Sequence, residues 1–395
     1  MQTSFGLSNR ADVTAIRNRH VSAFLVAMAL FGMLNLFLGY KDSVGPFTKL
    51  SLDAVHFDFS GTESSVEKLS FAPNLVLAGS SLFLYPMWRI DKSDGANAVD
   101  SNHYHYAKSL DRQFAKRNVA VTTYSLATGG AMMSDSYLLL VHYLRKHHPA
   151  PQYVILDCAP RSFYDSGMFE PDATSVFQWC FNPTDFLLLG HEYLPSLSMK
   201  LNYWGCKLCF MYQHRRSLSE NIVHGSFKPT WKSDFNPLGS FQAESQKSTD
   251  PKVKSVSPIV NDIGAGTPAR FEYSLQDYKG RYFLINLYQM EKQLHFLKQI
   301  TSLCASHNIK LIVVNMPLTH ENLSLLPDGF YDDFKRVVKA SISGNAVYVD
   351  LNEKLSWPKS LYSDSVHLND QGAEVLNEKV VDAVAGDRTV PIEKK

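Results

Sequence analysis

Residues 74–82 read Asn-Leu-Val-Leu-Ala-Gly-Ser-Ser-Leu. The apolar part is short and nearly continuous, as in a strand buried on both faces, and does not alternate between core and water. Gly79 then permits a tight turn, and Ser80 and Ser81 are residues that favour a helix N-terminus. A strand that turns at once into a helix is a unit of an α/β sheet. It presents a serine at the strand's C-terminal end, the edge where open α/β sheets carry their ligand sites.

Outward from this unit, four more runs have the same character: Val119–Ser125, Tyr153–Leu156, Leu311–Asn315 and Ala346–Asp350. Apolar residues at helical spacing fill Ser134–Lys146 and Tyr282–His307, with Lys310 leading into the next strand. Strands alternating with helices imply a parallel sheet with right-handed crossovers. The expected fold is therefore α/β, a three-layer α/β/α sandwich with a flavodoxin-like parallel sheet in the order 2-1-3-4-5. Between Asp165 and about Tyr278 the pattern breaks. Aromatic residues gather there, among them Trp179, Tyr203, Trp204 and Tyr212, and a polar stretch runs from Phe241 to Thr267. The organisation read from this is a domain made of residues 71–165 and 279–385, an insertion or lid at 166–278, and a frayed tail at 386–395.

The chain has 395 residues, of which 45% are hydrophobic, ample for a large core and unlike a disordered chain. Lys and Arg number 39 against 38 Asp and Glu, a net charge of +1, so no global field attracts nucleic acid. Charged residues are only 19%, below the roughly 25% usual for soluble domains. That deficit suggests membrane or glycan surroundings more than a highly solvated surface. Val21–Tyr40 carries no charged residue and has Asn35 as its one strongly polar side chain. Such a run spans about 30 Å as a helix, the thickness of a bilayer core. Arg10, Arg17, Arg19 and His20 precede it, so the positive-inside rule puts residues 1–20 in the cytoplasm and the remainder outside. A cleaved signal peptide is the rival reading, but the run is long for one and Gly39-Tyr-Lys-Asp-Ser-Val44 is a poor cleavage site. Residues 21–40 are thus expected to be a single-pass anchor in the cytoplasmic membrane, followed by a linker at 41–70 and an extracytoplasmic domain. The five cysteines include one Cys-x-x-Cys, Cys206 to Cys209, with no second pair spaced for zinc; a local disulfide or two packed thiols are the readings that remain.

Three segments that follow strand ends carry chemistry. Gly79-Ser80-Ser81 follows the first strand and offers a serine at a helix N-terminus, where negative charge is stabilised; an ordinary helix cap has the same composition. Tyr124-Ser125-Leu-Ala127-Thr-Gly129-Gly130-Ala131 follows the second, and its glycines let backbone N–H groups point at a ligand, as an oxyanion hole requires, or simply make a turn. The third, Tyr362-Ser-Asp364-Ser-Val-His367-Leu-Asn-Asp-Gln-Gly372-Ala373, puts Asp and His three residues apart. A carboxylate so placed can hold the imidazole while its other nitrogen faces a nucleophile. No P-loop and no Gly-x-Gly-x-x-Gly is present, and His191-Glu192 and His320-Glu321 lack the second histidine of a zinc-protease helix. His103, His105, His147 and His148 have no partner at ligand spacing and are read as solvated. No cofactor and no metal are expected.

In that combination and order the sequence resembles the SGNH/GDSL hydrolase superfamily. Its nucleophilic serine stands in a Gly-Asp-Ser first block, and a closing Asp-x-x-His supplies the other two catalytic residues. Ser363–Ala373, SDSVHLNDQGA, is similar to the closing block of the membrane-anchored branch. That branch works in cell-envelope polysaccharide modification and includes the D-alanyl transfer protein of teichoic-acid synthesis and alginate acetylation proteins. The resemblance covers the strands of residues 71–165 and 280–385. It implies Ser81 as nucleophile, with Ser80 at the family's Asp position, His367 as general base and then acid, and Asp364 as its orienting carboxylate. Oxyanion donors would come from the backbone of Ser81 and of Gly130 or Ala127, beside Gly129. The sequence departs from the pattern at Ser125 and Ala127, where the family often has Asn and Gly. It departs again at Leu156-Asp-Cys-Ala-Pro-Arg161, which lacks the Gly-x-Asn whose side chain completes the usual oxyanion hole. Arg161 falls on the same edge, to bind an anionic or hydroxylated substrate or to pair with Asp165.

The expected function is that of a serine esterase or acyltransferase working on acyl groups of an envelope or extracellular polysaccharide, with a membrane-bound O-acyltransferase as a further partner. The alternative is a catalytically silent module of the same fold that binds polysaccharide or scaffolds such an acyltransferase. Serine chemistry and a scaffold differ in what removal of Ser81 does.

Overall fold

All five apolar runs enter one parallel sheet in a computed structural model of the chain, which describes residues 25–37, 72–95, 101, 104–146, 149–165, 170–209, 267–353 and 357–386. The strands are β1 (Leu75–Ala78), β2 (Thr123–Ser125), β3 (Tyr153–Cys158), β4 (Lys310–Asn315) and β5 (Val347–Asp350). Their order is β2-β1-β3-β4-β5, the flavodoxin-like order expected from the sequence. The register pairs Leu75 with Thr123 on one side and with Tyr153 on the other, then Tyr153 with Lys310 and Ile312 with Val347. Every residue of β1 and β3 is buried, whereas β5 is half-exposed, which marks it as the sheet's edge. Each buried Leu, Val or Ile of the central strands contributes roughly 1.5–3 kcal/mol of apolar burial. β2 is shorter than its apolar run. Asn118 takes a left-handed φ of 56°, and Val119 N–H closes on Phe114 O at 3.1 Å, so the start of the run is spent ending the preceding helix.

Between the strands lie α1 (Ser81–Ser93), α2 (Lys108–Lys116), α3 (Met133–Lys146), α4 (Arg161–Tyr164), α5 (Ser175–Cys180), α6 (Pro183–Tyr193), α7 (Leu197–Leu208), α8 (Pro268–Arg281), α9 (Leu287–Ser306), α10 (His320–Leu323), α11 (Phe330–Ser341) and, last, α12 (Asp370–Ala385). Helices α1, α2 and α12 pack on one another, and α9 packs on α3, α4 and α11. The apolar stretch Tyr282–His307 is two elements: Tyr282 closes α8, and Asn286 Oδ1 accepts from Gln289 N–H at 3.1 Å to start α9 afresh. From β1 the chain runs one way to β2, then crosses back through α3 to β3 and onward. The reversal falls between β1 and β3, the switch point at which open α/β sheets form a crevice.

The chain divides into two compact units, Phe57–Leu188 with Ser248–Lys395, which holds the sheet, and Met1–His56 with Leu189–Lys247. In the second, residues 25–37 are helical. Asn35 Nδ2 donates to Leu208 O at 3.3 Å, and Cys209 Sγ donates to Asn35 Oδ1 at 3.4 Å. Cys206 and Cys209 are free thiols, as are the other three cysteines, so the local disulfide is not formed. Among the described residues no helix is long and apolar enough to cross a membrane. Residues 1–20, both ends of the 21–40 run, the 41–70 linker, most of the polar stretch after Phe241, His103, His147, His148 and the tail beyond Gly386 lie outside the described residues. His105 corrects its solvated reading. It is buried, its Nδ1 lies 2.9 Å from Ser125 O, and its ring stacks on Tyr124 at 5.4 Å.

Candidate active site

The β1–α1 turn is built around a carboxylate. Asp157, buried near the end of β3, accepts from Ser80 N–H at 2.8 Å and from Ser80 Oγ–H at 3.0 Å, both through Oδ2. Ser80 Oγ in turn accepts from Leu82 N–H at 3.2 Å, so Ser80 is the N-cap of α1. Gly79 is obligatory here. Its φ is +139°, and a Cβ would lie 2.3 Å from the Asp157 carboxyl carbon. The turn therefore fixes Ser81 as the first residue of α1, buried and at the sheet's C-terminal edge.

The closing block folds by its own hydrogen bonds. Asp364 Oδ1 accepts from the N–H groups of Val366 at 3.0 Å and His367 at 2.8 Å, a local turn of the kind short acidic side chains favour. Ser363 N–H donates to His367 O at 2.8 Å, and Tyr362 bridges Leu368. Asn369 Oδ1 accepts from Gly372 N–H at 3.0 Å and starts α12. A Cβ on Gly372 would lie 2.2 Å from Leu361 O, which is why the block needs a glycine there. Arg89 Nε, on α1, donates to Asp370 Oδ1 at 2.8 Å and ties the serine's helix to the histidine's loop.

The two blocks meet at the chemistry. His367 Nε2 lies 3.0 Å from Ser81 Oγ, and His367 Nδ1 lies 2.8 Å from Asp364 Oδ2. Tyr85, one turn beyond Ser81, packs edge-on to the His367 ring at 5.2 Å. Burial acts to raise the Asp364 carboxyl, but His367 and the backbone N–H groups of His367 and Val366 outweigh it and hold it at about 2. A carboxylate ionised in this way keeps a proton on Nδ1 and leaves Nε2 to face the serine hydroxyl. Asp157 shows the opposite balance: burial pushes it up to about 6 against the Ser80 hydrogen bonds. Burial also pushes the Tyr85 hydroxyl up to about 12.

The expected site residues fall into two groups. Ser81, His367 and Asp364 form one continuous hydrogen-bonded chain. Ser80 faces Asp157 and not His367, so of the two serines it is Ser81 that the geometry puts against the imidazole. The second-block loop is pinned beside them by Thr128 N–H, which donates to Gly79 O at 3.0 Å. Ala127 N–H is taken by Ser125 Oγ at 3.3 Å, which removes it as an oxyanion donor. Among the described residues the N–H groups of Ser81, Gly129 and Gly130 have no acceptor, and Gly130 is exposed with φ +74°. Arg161 opens α4 at the end of β3, its Nη2 3.8 Å from where a Gly130 Cβ would stand, and its Nε lies 3.4 Å from Asp165 Oδ2. Sequence reasoning missed Asp157, whose signal was an acid inside an otherwise apolar strand, and Arg270. Arg270 comes from α8, in the stretch read as an insertion, and its Nη2 lies 3.8 Å from Asp364 Oδ2. Ser274 of the same helix shares a 2.6 Å hydrogen bond with Ser365. Among the described residues no cluster of His, Cys, Asp or Glu could hold a metal ion.

One protein-family model matches the chain, over residues 285–387, and no function is described for that family. The match takes in β4, β5, Asp364 and His367 and stops short of Ser81. No curated protein matches the sequence.

Proposed function

We propose that this protein is a serine-dependent acyl-transfer enzyme, with Ser81 as nucleophile, His367 as general base and acid, and Asp364 as the group that orients the imidazole. More particularly, it is read as a membrane-anchored, extracytoplasmic esterase or O-acyltransferase of SGNH type, acting on acyl groups of a cell-envelope or extracellular polysaccharide. The observation that carries the chemistry is the unbroken Ser81–His367–Asp364 hydrogen-bond chain at the β1/β3 switch point, where the Ser81 N–H has no acceptor among the described residues. The polysaccharide, the membrane-bound acyltransferase partner and the localisation rest on the sequence resemblance and the Val21–Tyr40 run. The two helix groups, α1–α2–α12 and α3–α4–α9, support a three-layer, flavodoxin-like sandwich; the single N-terminal anchor rests on the Val21–Tyr40 run.

In the reaction Ser81 Oγ bonds to the acyl carbonyl carbon as His367 Nε2 takes its proton. The tetrahedral oxyanion collapses, the bond to the departing alcohol breaks, and His367 returns the proton to that oxygen. Water or a sugar hydroxyl then repeats the sequence on the acyl-enzyme, releasing the acid or a new ester. The test is labelling of the full chain in detergent with a fluorophosphonate, mapped to its peptide. Labelling of Ser81 that is lost in Ser81→Ala and His367→Ala is expected; an unlabelled, folded wild type would sink the nucleophile. One observation favours a silent scaffold instead, the absence of a Gly-x-Asn at the end of β3. Full complementation in cells by Ser81→Ala would select that reading.

A further inference from the structure

Strand β3 leads through Asp157-Cys-Ala-Pro to Arg161, so where the resemblance implies a side-chain amide for the oxyanion hole, this chain carries a guanidinium. Three neighbours locate that guanidinium. Its Nη2 lies 3.8 Å from the point a Gly130 Cβ would occupy, beside one of the unclaimed N–H groups. Its charge acts on Asp157, which holds Ser80, and on the hydroxyl of Tyr85, which packs on His367. Asp157 holds Ser80, Tyr85 packs on the His367 ring that meets Ser81, and the Gly130 loop is pinned to Gly79 through Thr128 N–H, so the guanidinium shares the serine's side of the crevice. Its one hydrogen bond among the described residues runs from Nε to Asp165 at 3.4 Å, and Asp165 is already met more closely by Arg281 Nη1 at 2.8 Å. The Nη donors are therefore not committed to Asp165, and the side chain is only 26% exposed.

We propose that Arg161 is a catalytic residue that donates an Nη–H to the oxyanion, in the place of the missing amide. The proposal rests on the serine-nucleophile reading. As the Ser81 Oγ–C bond forms, the carbonyl π pair moves onto oxygen, and the serine proton goes to His367. The new negative charge is met by Ser81 N–H, Gly130 N–H and Arg161. When the carbonyl re-forms, the C–O bond to the alcohol breaks, His367 protonates the leaving oxygen, and Arg161 is unchanged. A permanent charge on a planar donor, partly withdrawn from water, stabilises such an anion more than a neutral amide does. Two backbone donors and a guanidinium then do the work of two backbone donors and an amide.

The measurement is hydrolysis of p-nitrophenyl acetate by the full chain in detergent, with fluorophosphonate labelling alongside. That ester carries no charge, so a guanidinium that served only to bind an anionic substrate would not register. Arg161→Met is expected to lower kcat by roughly 10²–10³-fold with KM changed by less than about threefold, and to slow Ser81 labelling in parallel. Arg161→Lys, which keeps charge and fold, is expected to recover part of the rate. Arg281→Gln, which removes the other cation on Asp165, is expected to stay within about threefold of wild type. Unchanged kcat in Arg161→Met, a loss confined to KM, or an equal loss in Arg281→Gln would overturn the proposal while leaving Ser81 in place. A wild type that is neither labelled nor active would overturn both.

Discussion

Asp364 is held by a turn only three residues long, and its ionisation decides what His367 can do. Oδ1 takes two backbone N–H groups, Oδ2 takes the imidazole, and Arg270 stands 3.8 Å away. Replacing it by Asn keeps the shape but lets the imidazole hold its proton on the nitrogen facing Ser81. Asp364→Asn should therefore cost about 10⁴-fold in kcat with binding little altered, measured on an uncharged ester. The same carboxyl has a pH signature. Its folded value is depressed to about 2 from an ordinary 3.8, so the stability it lends is present above the unfolded value and fades as pH falls from about 4 towards 2. The contribution is about 2 kcal/mol, and thermal unfolding of wild type and Asp364→Asn should converge in that acid window. A gap between the two that is the same at pH 2 and pH 6 would count against the ion pair.

At the scale of elements, the site depends on two turns that need glycine. The β1–α1 turn presses Gly79 against Asp157, and the closing block presses Gly372 against Leu361 O. A methyl group fits neither, so Gly79→Ala and Gly372→Ala should each destabilise by at least about 1–3 kcal/mol, with activity falling further than stability because Ser81 or His367 shifts. Asp157 supplies the counterpart from β3. Burial raises it to about 6, so its stability contribution is full below about pH 4 and is lost as pH rises through about 6. Asp157→Asn should flatten the dependence of unfolding temperature on pH between 4 and 7; an unaltered slope would mean that another group titrates there. These turns explain what could be read from the sequence. The five strands were legible because apolar runs and turn residues are local signals. Their order followed from the fold class, and Ser81, Asp364 and His367 stood out only as a combination of three segments in one order. Asp157 and Arg270 were not, since their partners lie 77 and 94 positions away in the chain and no local period marks such a contact. The break inside Tyr282–His307 was hidden for a different reason: apolar spacing continues across it, and a single Asn cap restarts the helix.

For the molecule as a whole, the apolar composition of residues 21–40 and the chemistry of the sheet make separate claims, and each can fail alone. The sheet unit has its own core, and Ser81, His367 and Asp364 all lie within it. The apolar run, by contrast, has the length of a bilayer crossing and four basic or imidazole side chains before it, Arg10, Arg17, Arg19 and His20. If it is an uncleaved anchor, the full chain should stay with the membrane fraction after alkaline carbonate extraction, its N-terminal sequence should begin at or next to Met1, and a phosphatase fused after Lys395 should be active only outside the cytoplasm. Deleting 21–40 should then leave the fusion inactive inside the cell, while the purified deletion protein still takes up fluorophosphonate at Ser81. A mature N-terminus beyond Tyr40 would replace the anchor by a cleaved signal without touching the site. Loss of labelling in a folded deletion protein would instead tie the chemistry to the membrane segment, a dependence that the closed Ser81–His367–Asp364 chain argues against.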